Sequence, residues 1–220
     1  MNILGIDEAG RGPVIGPLVL AGVCIKKEDE TFLKKSGITD SKLLSQKKRE
    51  TLGEQIKKIA KNVRIIVISA KQINHDMKYI SLNQIEMNAM IKIINSTPKA
   101  GKTIIDLPSN SKTFTQELEA KITTRTKITA EHKADLNYIP VSAASIIAKV
   151  ERDRQIRLIE KKHNIQIGSG YPADPKTKKF LKEYIQSHDT LDTLPDYIRT
   201  SWQTTKDLIN TKTQKGLRDF

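Results

Sequence analysis

Four carboxylates in the 220-residue chain stand in or beside short apolar segments. They are Asp7 and Glu8 at the end of a predicted first strand, Asp106 in a fourth, and Asp135 after a short fifth. An aspartate inside an apolar strand is costly unless it pairs with a cation or holds a metal. Pairing with Lys or Arg explains any single one of them, but three such positions at strand ends favour one shared cation.

Oxygen is the only ligand atom that these residues offer. The histidines are scattered without zinc spacing, at His75, His132, His163 and His188, and the single cysteine, Cys24, is interpreted as a buried apolar residue. Carboxylates alone suit Mg²⁺ or Mn²⁺, which bind through a few carboxylates and substrate phosphate. Two such ions hydrolyse a phosphodiester without a histidine, one activating water and the other steadying the leaving oxygen.

Two glycine-containing segments invite comparison with phosphate-binding loops. The segment Ala100-Gly101-Lys102-Thr103 lacks the required glycine at position 96 and precedes a strand, which argues against a nucleotide-binding P-loop. The segment Gly10-Arg11-Gly12-Pro13 directly follows the first carboxylates. It is either a tight turn or a bare backbone that approaches a sugar or phosphate, with Arg11 supplying charge.

The overall charge is compatible with a polyanionic partner. The formal net charge is +13 with a pI near 9.7, although lysine-rich surfaces also serve solubility. An aromatic content of 5% disfavours a broad platform for stacking bases. The longest apolar run, 13–25, is too short to cross a bilayer, so we expect a cytoplasmic protein without membrane contact, and a monomer by default.

Hydrophobic patterning predicts a mixed α/β architecture. Strands are predicted at 2–6, 18–26, 63–69, 103–107 and 125–129, and helices at 45–60, 82–94, 114–122, from 140 past 157, at 177–187 and at 196–209. This order favours a mixed five-stranded sheet flanked by helices, with a helical C-terminal portion. We expect a catalytic domain at 1–191, a helical appendage at 192–213 and a tail at 214–220.

The quoted residues form a pattern that resembles ribonuclease HII over about residues 3 to 205. The matching blocks are Gly5 to Pro13, Asp40-Ser41-Lys42, Asp106, Asp135, Val141 to Val150, Arg152-Asp153 and Gly168-Ser169-Gly170-Tyr171-Pro172. The short N-terminus and the first block look archaeal. The resemblance implies a ribonuclease H-like fold and cleavage on the 5′ side of a ribonucleotide, in RNA/DNA hybrids and in DNA with embedded ribonucleotides. Such cleavage leaves a 3′-hydroxyl and a 5′-phosphate and serves ribonucleotide removal, replication and repair.

The same resemblance assigns roles to individual residues. Asp7, Glu8, Asp106 and Asp135 match the metal-binding catalytic carboxylates. Gly10, Arg11 and Gly12 match a loop that senses the ribose 2′-hydroxyl, and Tyr171 matches the tyrosine that packs on the neighbouring sugar. Lys42, Ser142 and Lys149 are candidates for substrate contact, but on residue type alone they are a solvated lysine, part of a small-residue packing face and a lysine near a helix N-terminus.

The final residues carry a separate signal. Gln214, Leu217 and Phe220 have the Gln-x-x-Leu-x-x-aromatic spacing of peptides that dock on the replication sliding clamp. Leu217 and Phe220 would share one face of a helical turn, which suits an apolar groove. A frayed tail is the alternative.

Two other functions are compatible with these residues. One is a metal-dependent nuclease of the same broad fold that ignores ribose, such as a resolvase. The other is a non-catalytic protein that binds hybrids and uses its carboxylates only for structure. Dependence of cleavage on a ribonucleotide separates the first from the predicted enzyme, and the effect of replacing Asp135 by Asn separates the second.

Overall fold

The computed structural model describes residues 1–38, 44–107, 112–187, 190 and 193–216, with the backbone alone for 112 and 212–216. Its strands are β1 (Asn2–Ala9), β2 (Leu18–Lys26), β3 (Asn62–Ile68), β4 (Lys102–Leu107) and β5 (Lys127–His132). A 3-10 turn at Lys27–Asp29 leads into the first helix. The helices are α1 (Glu30–Lys35), α2 (Gln46–Ile59), α3 (Ala70–Asp76), α4 (Leu82–Asn95), α5 (Lys112–Lys121), α6 (Ala134–Asn137), α7 (Ile139–His163), α8 (Pro175–Gln186) and α9 (Gln203–Gly216).

The five strands form one mixed sheet in the order β3-β2-β1-β4-β5. Strand β1 is antiparallel to β2 and parallel to β4, and β4 is parallel to β5. Strands β1 and β4 are therefore neighbours at the centre of the sheet, and between them they carry three of the four predicted carboxylates, Asp7, Glu8 and Asp106. This confirms the predicted five-stranded mixed sheet with helices.

Contacts divide the described residues into two compact units. The first comprises Met1–Ala9, Val19–Val67 and Asn83–Glu151, and the second comprises Gly10–Leu18, Ile68–Leu82 and the chain from Arg152 onward. The first unit has a core of β1 and β2 side chains against α2 and the small residues of α7. The second has its own core around Val14, Ile15, Ile198 and the apolar faces of α8 and α9.

Gly5 explains why β1 and the start of α7 lie so close together. A Cβ atom at this position would overlap the main chain of Pro140 and Val141, so only glycine permits the approach. Asp7 lies two residues further along β1 and therefore shares the face of Gly5. The packing at Gly5 thus places the Asp7 side chain on the α7 side of the sheet.

Several sequence-based boundaries are corrected. Strand β1 continues to Ala9, so Asp7 and Glu8 lie within it, paired with Ala21 and Leu20 of β2, and do not end it. Helix α9 begins at Gln203, seven residues later than expected at Asp196. Helices α1, α3 and α6 are short and were not predicted, because six, seven and four residues carry too little periodicity.

The domain boundaries expected after residues 191 and 213 stay predictions. Among the described residues, no helix is both long and apolar enough to cross a membrane. The predicted clamp-docking residues Leu217 and Phe220, like Lys42, lie outside the described residues, and Gln214 is in the backbone of α9.

Candidate active site

Three carboxylates converge in the first unit. Asp7 from β1, Asp106 from β4 and Asp135 from α6 each offer an oxygen atom, and these atoms lie within 4.8 Å of one another. Asp7 and Asp135 are buried, at 4% and 5% exposure, and Asp106 is half-buried. Like charges at this separation repel strongly where water is excluded, so the arrangement calls for a cation.

The pKa of Asp7 shows the same effect of burial and neighbouring negative charge. Burial, with a contribution from the Asp106 carboxylate, raises the pKa of Asp7 from 3.8 to about 7. A bound divalent cation would reverse that effect by favouring the ionised form. The donor set consists of oxygens only, which fits Mg²⁺ or Mn²⁺ better than zinc. The residues present therefore fit a divalent-metal site.

Helix α7 supplies two side chains that steady Asp7. The Ser145 hydroxyl is hydrogen-bonded to the Asp7 carboxylate, and together with the Glu8 N–H it offsets part of the rise in pKa. The Lys149 ammonium donates to the Ser145 oxygen at 3.0 Å. Ser145 and Lys149 are one helical turn apart and so share a face of α7. Ser145 orients the Asp7 carboxylate, and Lys149 places a positive charge near it.

Asp106 and Asp135 are linked through the main chain. Asp106 accepts a hydrogen bond from the Ala134 N–H at 2.7 Å, at the start of α6. Lys133 precedes that helix in the left-handed region, with φ of 59°. The buried Ser142 hydroxyl donates to the carbonyl of Asp135. Asp106 and Ser142 thus hold the short helix that presents Asp135 to the other two carboxylates.

Glu8 takes a different place from the other predicted metal ligands. It is adjacent to Asp7 in a regular strand, so the two side chains leave on opposite faces of the sheet. Within the described residues, its carboxylate is not among those that converge. Its predicted role in metal binding stays a prediction.

In the second unit, the structure brings the loop Gly10 to Gly12 (the glycine loop) next to Tyr171. Gly10 has φ of 89°, which favours glycine. A Cβ atom added to Gly12 would lie 3.6 Å from Cε1 of Tyr171. The loops are joined by main-chain hydrogen bonds from Val14 and Ile15 to the Gly170 carbonyl, at 2.9 and 3.3 Å. Tyr171 is 43% exposed beside this loop.

Arg152 contacts both the glycine loop and the segment that contains Tyr171. Sequence reasoning gave it no individual role. Its guanidinium carbon is 5.3 Å from the centre of the Tyr171 ring, and its Nη2 donates to the Ser169 carbonyl at 2.7 Å. A Cβ atom at Gly10 would meet the Arg152 side chain at 2.7 Å. Arg152 is 5% exposed, and burial lowers the pKa of its guanidinium, which still carries its charge at neutral pH.

The other predicted contact residues are placed as follows. Ser142 uses its hydroxyl on the carbonyls of Asp135 and Tyr138, and Lys149 is half-buried against Ser145. Sequence reasoning missed Ser145 as a partner of Asp7. The only signal in the sequence was that Ser145 lies four residues before Lys149 on a predicted helix, so the two side chains share a face.

Comparison with known proteins decides the family. The model of the family described as ribonuclease HII matches residues 4–205. The chain belongs to the ribonuclease HII family. It is therefore a hydrolytic endoribonuclease that acts on RNA/DNA hybrids, as its sequence resemblance implied.

Individual relatives agree with this assignment. Ribonuclease HII of Methanococcus maripaludis is 48% identical over 212 residues, covering 94% of this chain and 87% of the relative. The crystal structure of ribonuclease H2 from Pyrococcus horikoshii has a TM-score of 0.87 at 36% identity and covers 97% of this chain and 100% of its own. The complex of PCNA with ribonuclease HII from Archaeoglobus fulgidus contains a chain with a TM-score of 0.83 at 41% identity, covering 92% and 96%. The expected ribonuclease H-like fold is confirmed.

Proposed function

We propose that this enzyme cuts the phosphodiester bond on the 5′ side of a ribonucleotide, in hybrids and in DNA duplexes with single embedded ribonucleotides. The products are a 3′-hydroxyl and a 5′-phosphate. The convergence of Asp7, Asp106 and Asp135 within 4.8 Å carries the proposal, because such a carboxylate cluster suits metal-assisted phosphodiester hydrolysis.

The proposed metal ligands are Asp7, Glu8, Asp106 and Asp135, with Mg²⁺ or Mn²⁺ as the cation. When bound, such ions supply positive charge that activates water and stabilises the leaving oxygen. The protein's contribution is geometric. Ser145 and Lys149 orient Asp7, while Ser142 and Asp106 fix the helix that carries Asp135. Pre-oriented ligands avoid the cost of arranging themselves during the reaction.

Gly10, Arg11 and Gly12 are the proposed sensors of the ribose, and Tyr171 is the proposed platform for the neighbouring sugar. The 2′-hydroxyl is the group by which a protein distinguishes RNA from DNA. The backbone is exposed at Gly12, and the exposed Tyr171 lies next to it. Lys42, Ser142 and Lys149 are retained as candidates for contact with the substrate.

The decisive experiment compares cleavage of two duplexes, one all DNA and the other with a single ribonucleotide. Wild type, Asp7→Asn and Asp135→Asn are assayed with Mg²⁺, Mn²⁺ or EDTA. We expect a metal-dependent cut 5′ of the ribonucleotide by the wild type only. Equal cutting of the all-DNA duplex would indicate a general nuclease. Tight binding without cleavage in either metal would indicate a hybrid-binding protein.

A second proposal concerns a partner. We propose that Gln214, Leu217 and Phe220 dock on a replication sliding clamp, a role suggested by their spacing and by the relative crystallised with PCNA. Leu217→Ala combined with Phe220→Ala should weaken binding of the full chain to the clamp in a titration and leave cleavage of a short duplex unchanged. Equal clamp affinity of the double variant and wild type would contradict the proposal.

A further inference from the structure

Arg199 is the largest fully buried side chain among the described residues, and it points at the glycine loop. Its guanidinium donates to three main-chain carbonyls: Gly10 at 2.6 Å, Arg11 at 3.0 Å and Gly16 at 3.0 Å. A guanidinium offers five N–H donors in a fixed plane. One side chain therefore sets the direction of two successive peptide groups and of a third beyond the turn.

Trp202 completes the set. Its indole N–H donates to the carbonyl of Gly12 at 3.1 Å, and its ring lies 4.6 Å from the guanidinium carbon of Arg199. The carbonyls of Gly10, Arg11 and Gly12 are thus all held by the same stacked pair. Cation–π stacking of this kind holds both partners in place.

Arg199 is itself firmly anchored. Its N–H donates to the Val14 carbonyl at 2.8 Å, and its carbonyl accepts from the Thr205 hydroxyl at 2.9 Å. Asn74 bonds the main chain on both sides, at Ile198 and Thr200. Hydrogen bonds to residues outside the glycine loop therefore hold the backbone around Arg199 in place.

The orientation of these carbonyls determines where the loop's donors point. In a planar trans peptide the C=O and N–H groups point in opposite directions. With the carbonyls of Gly10 and Arg11 turned to Arg199, the N–H groups of Arg11 and Gly12 point away from it. The third peptide ends in Pro13 and has no N–H. Within the described residues, no group accepts a hydrogen bond from the Gly12 N–H.

We propose that Arg199 and Trp202 are positioning residues for ribonucleotide recognition. They hold the loop so that the Gly12 N–H meets an oxygen acceptor of the substrate, which is either the ribose 2′-oxygen or the adjacent phosphate. The inference rests on the proposed function, in which this loop faces the ribonucleotide. Backbone donors held rigidly toward an acceptor bind it without the cost of reorganisation.

The test compares Arg199→Lys, Arg199→Gln and Trp202→Phe with wild type. Lysine keeps the charge but lacks the planar fork, and phenylalanine keeps a ring but lacks the N–H. Lys206→Gln is the matched control, since it removes an exposed positive charge from α9. All proteins are compared below their unfolding temperatures. Binding to labelled duplexes is measured by anisotropy in EDTA, and kcat and KM are measured with metal.

Two ratios of dissociation constants separate positioning from general stability. The first is the dissociation constant for an all-DNA duplex divided by that for a duplex containing one ribonucleotide. The second is the dissociation constant for a duplex with an uncharged methylphosphonate 5′ of the ribonucleotide divided by that for the same duplex with the natural phosphate. We expect Trp202→Phe and Arg199→Lys to lower one of these ratios at least about fivefold, as loss of oriented hydrogen bonds predicts. A fall in the first ratio assigns the Gly12 N–H to the 2′-oxygen, and a fall in the second assigns it to the phosphate.

Unchanged ratios in folded Arg199→Lys and Trp202→Phe would overturn the inference, whatever happens to their stability. So would an equal fall in Lys206→Gln. Failure of the proposed function would look different. In that case wild type and Lys206→Gln would both leave the ribonucleotide duplex uncut with metal, while the binding ratios would still report on the loop.

Discussion

The ammonium group of Lys149 donates a hydrogen bond to the hydroxyl of Ser145 at 3.0 Å, and Ser145 is in turn bonded to the carboxylate of Asp7. A charged residue of α7 is thereby connected to a buried carboxylate of β1 through one hydroxyl. The connection fixes which way the hydroxyl proton points, because the lysine occupies the acceptor side of the oxygen.

Lys149→Met should lower kcat/KM about tenfold or more, the usual cost of losing a group that orients a metal ligand. It should also move the acidic limb of the pH–rate profile upward, since the Lys149 charge lowers the pKa of Asp7. Steady-state rates between pH 6 and 9 check both effects. Lys161→Met, exposed on the same helix, is the control. An unshifted acidic limb in Lys149→Met would contradict the proposed link.

The sequence predicted the elements that carry continuous patterns. Strand β2 lies at the expected residues, since an apolar, β-branched run bounded by glycine and proline has few alternatives. The position of Asp7 inside the sheet's central strand was not predicted, because the apolar run stops at Ile6 and acidic residues are uncommon in strands. Strand pairing with β2 extends β1 to Ala9.

The parts of the site that escaped prediction depend on contacts between distant residues. Arg199 bonds to Gly10 across 189 positions and to Gly16 across 183. A single arginine or tryptophan in an irregular segment has no periodicity that reveals such a partner. The resemblance identified Gly10 to Gly12 and Tyr171. The residues that contact them, Arg199, Trp202 and Arg152, follow only from the fold.

Gly5→Ala tests how β1 and α7 approach each other. The new methyl group would overlap the main chain of Pro140, and backbone cannot move aside as a flexible side chain does. We expect a loss of about 3 kcal/mol in the free energy of unfolding, at the upper end for overpacking. Urea unfolding followed by circular dichroism measures it. Gly101→Ala is the control, since its added methyl would lie 3.4 Å from the flexible Met1 side chain. Equal stability of the two variants would contradict the close approach.

Asp174 gives a prediction for acid pH. It is the N-cap of α8, and its carboxylate accepts from the N–H groups of Lys176 at 2.9 Å and Ser169 at 2.7 Å. Hydrogen bonds from Ser169, followed by that from Lys176, lower the pKa of Asp174 from 3.8 to about 2. Because the folded-state pKa is lowered, this stabilisation is complete above about pH 4 and is lost as the pH falls toward 2.

Asp174→Ala should therefore cost about 1 kcal/mol at pH 7, as for other lost helix caps, and progressively less at pH 3. Denaturant unfolding at several pH values measures the difference from wild type. Asp174→Asn keeps an acceptor oxygen but does not titrate, so its difference from Ala should stay constant with pH. A gap between wild type and Asp174→Ala that is the same at pH 3 and pH 7 would refute the argument.

Asp7→Asn should make the metal-free protein more stable at neutral pH while removing its response to metal. Burial raises the pKa of Asp7 to about 7, so the folded state prefers the neutral carboxyl. With the folded-state pKa raised, the free energy of unfolding of the wild type falls as the pH rises from about 4 to 7. Asparagine cannot ionise and avoids that loss, which we expect to be on the order of 1–4 kcal/mol at pH 8.

Unfolding is measured in EDTA and then with Mn²⁺ or Mg²⁺. A metal that binds only the folded state stabilises it in proportion to its affinity, so the wild type should gain stability and Asp7→Asn should not. Glu54→Gln is the matched comparison, since it removes an exposed carboxylate of α2 and keeps all the proposed metal ligands. It should retain the pH trend of the wild type and most of the gain from metal. A metal-induced gain in Asp7→Asn equal to that of the wild type would show that the cation binds elsewhere.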